Sequence, residues 1–276
     1  MRELSDLGRV LFALAVLALG VQACVCSAFL YELEPVPAWV PAQVFLANLT
    51  GFFLVAVGLG LLLRNRARLA AAALGAMLLL WVLVLHLPLL LPDPAPDLSF
   101  AFETLALSGA AWVLAVEQAG NDAAPERHHA ALERAALLGR CGFGAALVAF
   151  CAVNFIYHRF IAGMIPGWIP ERLSWAYFTG LASLAAGLSV LSGVQVRLAL
   201  RLLGVMYGSW VLLIHLPYLA VHPHSRSMWT DMFITLALAG GSWLLAGSEV
   251  VRGSVLDRLR KGRRSSGEAR AAMRNG

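Results

Sequence analysis

The chain has 276 residues, 60% of them hydrophobic and only 13% charged, with a mean hydropathy of +0.75. Soluble domains carry about 45–50% apolar and ~25% charged residues, so this composition excludes a water-soluble globule and a disordered chain. A polytopic membrane protein is the expected class.

Eight apolar runs follow in chain order: Val10–Tyr31, Val44–Leu63, Leu69–Leu91, Leu98–Val116, Cys141–Ile165, Leu173–Leu191, Leu198–Val221 and Trp229–Gly247. Each is close to the ~17–25 residues of a spanning helix. None shows the ten-residue alternation of a membrane barrel strand. A helix satisfies its own backbone hydrogen bonds in lipid, so the fold class is all-α.

With the N-terminus placed in the cytoplasm, 18 Lys and Arg residues fall on the inner side. The outer side holds only Arg159, Arg172 and Arg226. This asymmetry obeys the positive-inside rule and places the chain in the inner (plasma) membrane with both termini cytoplasmic. The net charge of +5 is then a topology signal, not a nucleic-acid footprint. The tail cluster Arg258–Leu259–Arg260–Lys261–Gly262–Arg263–Arg264 reads as a topology anchor that also attracts anionic headgroups, by about 1 kcal/mol per charge. Val21–Gln22–Ala23–Cys24 faintly resembles a lipoprotein cleavage site, but Gln22, Glu3 and Asp6 fit it poorly, and the first helix is expected to be retained.

The most informative feature is an internal repeat. A shift of 129 residues aligns Pro37–Pro88 with Pro166–Pro217 without a gap, and 22 of 52 positions are identical. The matches include Trp39 with Trp168, Thr50–Gly51 with Thr179–Gly180, Gly75 with Gly204, Trp81 with Trp210, and His86–Leu87–Pro88 with His215–Leu216–Pro217. After a two-residue insertion, Gly109 and Trp112 meet Gly240 and Trp243. Shared hydrophobicity does not place Trp, His, Pro and Gly in register. The expected organisation is a four-helix unit over 1–120, a cytoplasmic connector over 121–138, a second unit over 139–250 and a basic tail over 251–276. Four spans per unit give both copies the same orientation, so the two four-helix bundles lie parallel, about an axis along the membrane normal. A short connector helix is expected over 130–138.

The repeated residues gather at the outer ends of the bundles. Pro-x-Trp-x-Pro is a stiff turn that suits the headgroup boundary and could also wall a pocket with Trp39 and Trp168. Pro88 and Pro217 should kink their helices one half-turn after His86 and His215. Gly75, Val82 and His86 share a face that points into the bundle, as do Gly204, Val211 and His215. Glu103 and Asp231 begin the next spans, where an acid complements the helix dipole or pairs with the nearby histidine. Ionisable residues in spans are either packing groups or functional ones, and the functional reading is hydrogen bonding to a quinone-like head group or proton handling. His86, His215, Trp39, Trp168, Trp81, Trp210, Glu103 and Asp231 form the candidate ligand-binding set. Two pseudo-symmetric histidines could ligate one haem, but no ring-sized gap is visible, and haem is not expected. His222–Pro223–His224 with His215 and Asp231 is a weak metal pattern, and no metal is expected. Cys24, Cys26, Cys141 and Cys151 contain no Cys-x-x-Cys and read as buried free thiols. No nucleotide-binding loop, serine triad or zinc-protease motif is present.

Pro166–Gly–Trp–Ile–Pro170, Trp175–Ala–Tyr–Phe–Thr–Gly180, Gly187–Leu188 and Arg197–Leu198–Ala199 together resemble the DoxX/DoxD-like family of small four-helix membrane proteins. The chain looks like a duplicated member along nearly its whole length. Many relatives carry a histidine late in the first helix, where Cys24 and Asn154 stand here. The resemblance implies a redox setting: an accessory or quinone-linked membrane subunit, with membrane oxidoreductase subunits as partners beside the lipid bilayer. A non-catalytic scaffold docking through outer loops or tail is the alternative. A transporter ranks below both, because no span midplane carries paired charges or a broken helix.

Overall fold

The structure is a computed structural model that describes residues 2–91, 98–119 and 126–251. Among the described residues it contains nine helices and no strand. They are α1 (Arg2–Cys26), α2 (Gln43–Leu62), α3 (Ala67–Leu90), α4 (Leu98–Ala119), α5 (Glu126–Ile156), α6 (His158–Met164), α7 (Arg172–Ser192), α8 (Val196–Val221) and α9 (Arg226–Gly247). All but α6 are long and apolar enough to cross a membrane. The protein is a polytopic, all-α membrane protein. The basic tail beyond Val251 and the connector residues 120–125 lie outside the described residues.

Two spans differ from their sequence-based limits. The first stops at Cys26, not Tyr31, because Ser27 turns left-handed (φ 47°) and the chain folds back. The fifth stops at Ile156, and the rest of that apolar run becomes the separate α6. No isolated connector helix exists over 130–138. That stretch is part of α5 and runs unbroken into the span.

Consecutive helices pack in order around the molecule, α1 on α2, α2 on α3, α3 on α4, α5 on α7, α7 on α8 and α8 on α9. The first helix of each half also packs extensively against the last helix of the other half: α1 on α9, and α5 on α4. α4 meets α9 in the middle, and these two are the most buried spans. The outer faces of α2, α3, α7 and α8 expose Phe52, Leu69, Leu181 and Leu202 among many apolar side chains. That surface is stable only against lipid.

Glycine makes both cross-contacts possible. A Cβ on Gly8 would lie 2.6 Å from the Gly240 carbonyl oxygen and 2.6 Å from the Leu244 nitrogen. A Cβ on Gly109 would fall on the Gly139 carbonyl oxygen. Backbones this close pack in lipid because small residues let helices touch. A shift of 131 residues carries Gly8 onto Gly139 and Gly109 onto Gly240, so one crossing is the counterpart of the other.

The same shift carries Arg9 onto Arg140 and Phe12 onto Phe143. All four side chains are buried. Arg9 Nη1 donates to the Leu61 carbonyl at 2.9 Å, near the end of α2. Arg140 Nε donates to the Val190 carbonyl at 2.7 Å, near the end of α7, and its Nη1 to the Val250 carbonyl at 3.0 Å. The last carbonyls of a helix lack partners within it, and these arginines supply them. They are internal helix caps, not loop charges. The end of the molecule that holds them is called the arginine end below, and the opposite end the histidine end.

Candidate functional site

Each Pro-containing helix absorbs its proline as a wide π turn. Val82–His86 in α3 and Val211–His215 in α8 have this form, closed by Leu87 N–H to the Val82 carbonyl and Leu216 N–H to the Val211 carbonyl. Pro88 and Pro217 have no N–H to offer, so the ladder before them is reset by one residue. The extra residue turns both histidines inward, and both are buried.

Each histidine meets a threonine on the following span. His86 Nε2 lies 3.3 Å from Thr104 Oγ1, and His215 Nε2 lies 3.2 Å from Thr235 Oγ1. Thr104 and Thr235 correspond under the 131-residue shift. These threonines were missed by sequence reasoning, although their repetition was legible.

The remaining partners of the two histidines differ. His86 Nε2 is 3.1 Å from the Leu33 carbonyl, which can only accept, so Nε2 carries the hydrogen. His215 Nδ1 is 3.1 Å from the thioether sulfur of Met228, a weak acceptor, and this contact is a hydrogen bond in the tautomer that carries its hydrogen on Nδ1 and accepts from Thr235 at Nε2.

Leu33 belongs to a segment that plugs the first half. After Ser27 the chain turns into the bundle and buries Leu30, Leu33, Glu32 and Glu34. Contacts to the other half pin it. Arg226 Nη2 donates to the Phe29 carbonyl at 2.5 Å, and Ser227 Oγ to Glu32 Oε1 at 2.5 Å. Gln22 Nε2 on α1 also reaches Thr230 Oγ1 on α9 at 2.9 Å. In the second half the corresponding stretch is α6, none of whose residues is buried. The two interiors differ accordingly. Ala23, Leu54 and Leu78 are buried in the first half, and their counterparts Asn154, Ser183 and Tyr207 are buried in the second. Asn154 Oδ1 accepts from Thr179 Oγ1 at 3.2 Å, and Ser183 Oγ donates to the Thr179 carbonyl at 2.9 Å.

Glu34 is 1% exposed, and its Oε1 accepts from Thr50 Oγ1 at 3.0 Å while Oε2 has no partner among the described residues. Burial raises its pKa from 4.5 to about 8, against smaller lowering effects from Thr50 and a backbone hydrogen bond at Leu30. The folded protein therefore holds a proton on Glu34 that the unfolded chain has released, between about pH 4.5 and pH 8. Binding more protons when folded makes stability fall as pH rises through that window, and level off above it. Glu34→Gln removes this slope. Melting temperatures of wild type and Glu34→Gln at pH 5 and pH 8.5 should converge at the acid end, with the variant the more stable at the alkaline end. Parallel pH profiles would refute this account of Glu34.

The eight candidate residues separate into groups. Trp81 is buried in the core beside the His86 turn, and Trp210 is partly buried, stacked edge-on with Tyr207 at 5.4 Å. Trp39 and Trp168 stand out from the surface, 81% and 71% exposed, and wall neither histidine. Glu103 accepts from Ser99 Oγ at 2.8 Å, and it shares an electrostatic neighbourhood with Glu32 and Asp231. The hydrogen bonds described above take His86 to Leu33 and Thr104, and His215 to Met228 and Thr235. The four cysteines are free, but none is fully buried: Cys26 is exposed and the others are partly covered. Among the described residues no three His, Cys, Asp or Glu side chains are grouped to hold a metal ion. Comparison with protein-family models, with curated proteins and with solved structures finds no match for this chain.

Proposed function

We propose that the chain is a tandem pair of DoxX/DoxD-like four-helix units, serving as an accessory subunit of a membrane redox assembly. In this reading the histidine end faces away from the cytoplasm, and the second unit binds a quinone-like head group there. One observation carries the choice of unit. His215 directs its N–H at a thioether, whereas the Nε2–H of His86 meets a backbone carbonyl. A thioether is a poor acceptor, so a ligand carbonyl offered to His215 Nδ1 replaces a weak bond with a strong one. Met228 is unbranched and adaptable, and can give way without backbone change. The polar interior of Asn154, Thr179, Ser183 and Tyr207 supports the same half, and the plug of Leu30 and Leu33 argues against the other. Any quinone bound there would supply two-electron redox chemistry; the residues named bind and orient it.

Protein purified with native lipids should retain quinone detectable by extraction and chromatography. His215→Ala should lose most of it while keeping its fold. His86→Ala should keep the quinone but lose about 1–3 kcal/mol of stability, because the Leu33 carbonyl and Thr104 are left unpaired in the core. If wild type carries no quinone and takes none up, the reading fails.

A further inference from the structure

We propose that a notch between α6 and the start of α7 holds the phosphate of an anionic membrane lipid, with Arg159 and Arg172 as its two ligating side chains. This is independent of the quinone reading. The notch has a volume of about 380 Å³ and is lined by Arg159, Ala162, Gly163, Glu171, Arg172 and Leu173. Nothing lies within 4 Å of where a Cβ on Gly163 would sit, so the wall is open there.

The charges are unusual for their place. Only three basic residues fall at the histidine end by sequence, and two of them line this one cavity. Arg226, the third, is engaged with the Phe29 carbonyl. Among the described residues the side chains of Arg159 and Arg172 have no hydrogen bond or ion pair, even with Glu171 in the same notch. Planar guanidinium groups match phosphate oxygens, so two of them facing one cavity select that ligand chemistry.

The surroundings favour a lipid as the source of the phosphate. Phe160 next to Arg159 on α6, Trp168 in the connection between α6 and α7, and Trp175 and Phe178 in the first two turns of α7 are exposed. Such aromatics mark the headgroup level of a bilayer. The other half lacks the site. Ala42, Gln43 and Val44 stand where Glu171, Arg172 and Leu173 stand, although Ala42 and Glu171 share a left-handed backbone (φ 54° and 52°).

The test is native mass spectrometry of the full chain in mild detergent, titrated with phosphatidylglycerol and separately with phosphatidylcholine. Wild type should bind one phosphatidylglycerol about thirty-fold more tightly than the double variant Arg159→Gln/Arg172→Gln, about fivefold per arginine. Glu171→Gln, which removes the opposing charge, should bind more tightly than wild type. Phosphatidylcholine should not distinguish the variants. All chains carry the same basic tail, so its lipid binding cancels. Equal phosphatidylglycerol occupancy in wild type and the double variant overturns the proposal. Displacement of the lipid by millimolar inorganic phosphate overturns the lipid source and makes this a site for free phosphate. A melting temperature lowered in the double variant also overturns it, because the arginines would then be structural.

Discussion

Gly109→Leu and Gly240→Leu should each lower the melting temperature of the detergent-solubilised protein by about 5–10 °C, or abolish its folding, with lipid and ligand content unchanged in whatever folds. Both glycines sit where two helix backbones touch. A single Cβ on Gly109 already overlaps the Gly139 carbonyl oxygen, and one on Gly240 would lie 2.6 Å from the Phe12 nitrogen. Neither neighbour is the far end of a flexible side chain; both are backbone. The helices must move apart, and each crossing is the main seam between the two halves. Overpacking of this kind costs about 1–3 kcal/mol for small additions and more for a leucine. Gly208→Ala is the control. Nothing lies within 4 Å of its would-be Cβ, and alanine favours the helix, so its stability should be unchanged or slightly raised. A wild-type melting curve for Gly109→Leu would show that α4 and α5 do not cross as described.

Arg140→Ala should be the most destabilising single loss of a polar side chain, by about 3–5 kcal/mol. Its side chain is fully buried and holds two chain segments at once, the end of α7 through the Val190 carbonyl and the segment after α9 through Val250. Removing it orphans both carbonyls and leaves a cavity. Arg140→Lys should recover part of the loss only. An ammonium is a point donor and does not reproduce the separated Nε and Nη1 bonds of a guanidinium. Arg9→Ala should cost less, because its bonds go to the adjacent Leu61 and Leu62 carbonyls of one helix, the second at 3.4 Å. Its ion pair with Asp6 is long, at 4.0 Å. Denaturant titration of the three variants gives the order directly. Equal stability of Arg140→Ala and wild type would remove the internal-cap account.

The pattern of what was legible follows from the physics of each feature. Six of the eight spans lie within about three residues of their sequence-based limits, because length and apolarity alone select a membrane helix. The two misplaced C-terminal ends, at Tyr31 and Ile165, lie where apolar loop or short-helix residues extend the run, and the same two helices begin before Val10 and Cys141, at Arg2 and Glu126, because polar helical turns precede the apolar stretch. Leu30 and Leu33 are hydrophobic because they plug a bundle, and hydropathy does not distinguish a plug from a span. The histidines were legible because they repeat in register with a proline. Their partners were not, since threonine is common in spans and only geometry selects Thr104 and Thr235. The exposed Trp39 and Trp168 show the converse. Their repetition reads equally well as a pocket wall or as an interfacial anchor, and side-chain direction after a stiff turn is a matter of three-dimensional path. Arg9 and Arg140 counted as loop charges in the sequence, and charge counting carries no information on burial.

The apolar runs by themselves determined that this is an eight-span, all-α membrane chain, and the order of the spans put the repeated His-Leu-Pro motifs toward one end. Only the tertiary structure decided which helices touch. Gly8 and Gly139 present matching small faces, and so do Gly109 and Gly240. A first helix can therefore pair equally well, by local chemistry, with the last helix of its own half or of the other. The structure takes the cross pairing, α1 on α9 and α5 on α4. A close backbone crossing depends on where two faces meet in space, and residue identity specifies the faces but not the partner.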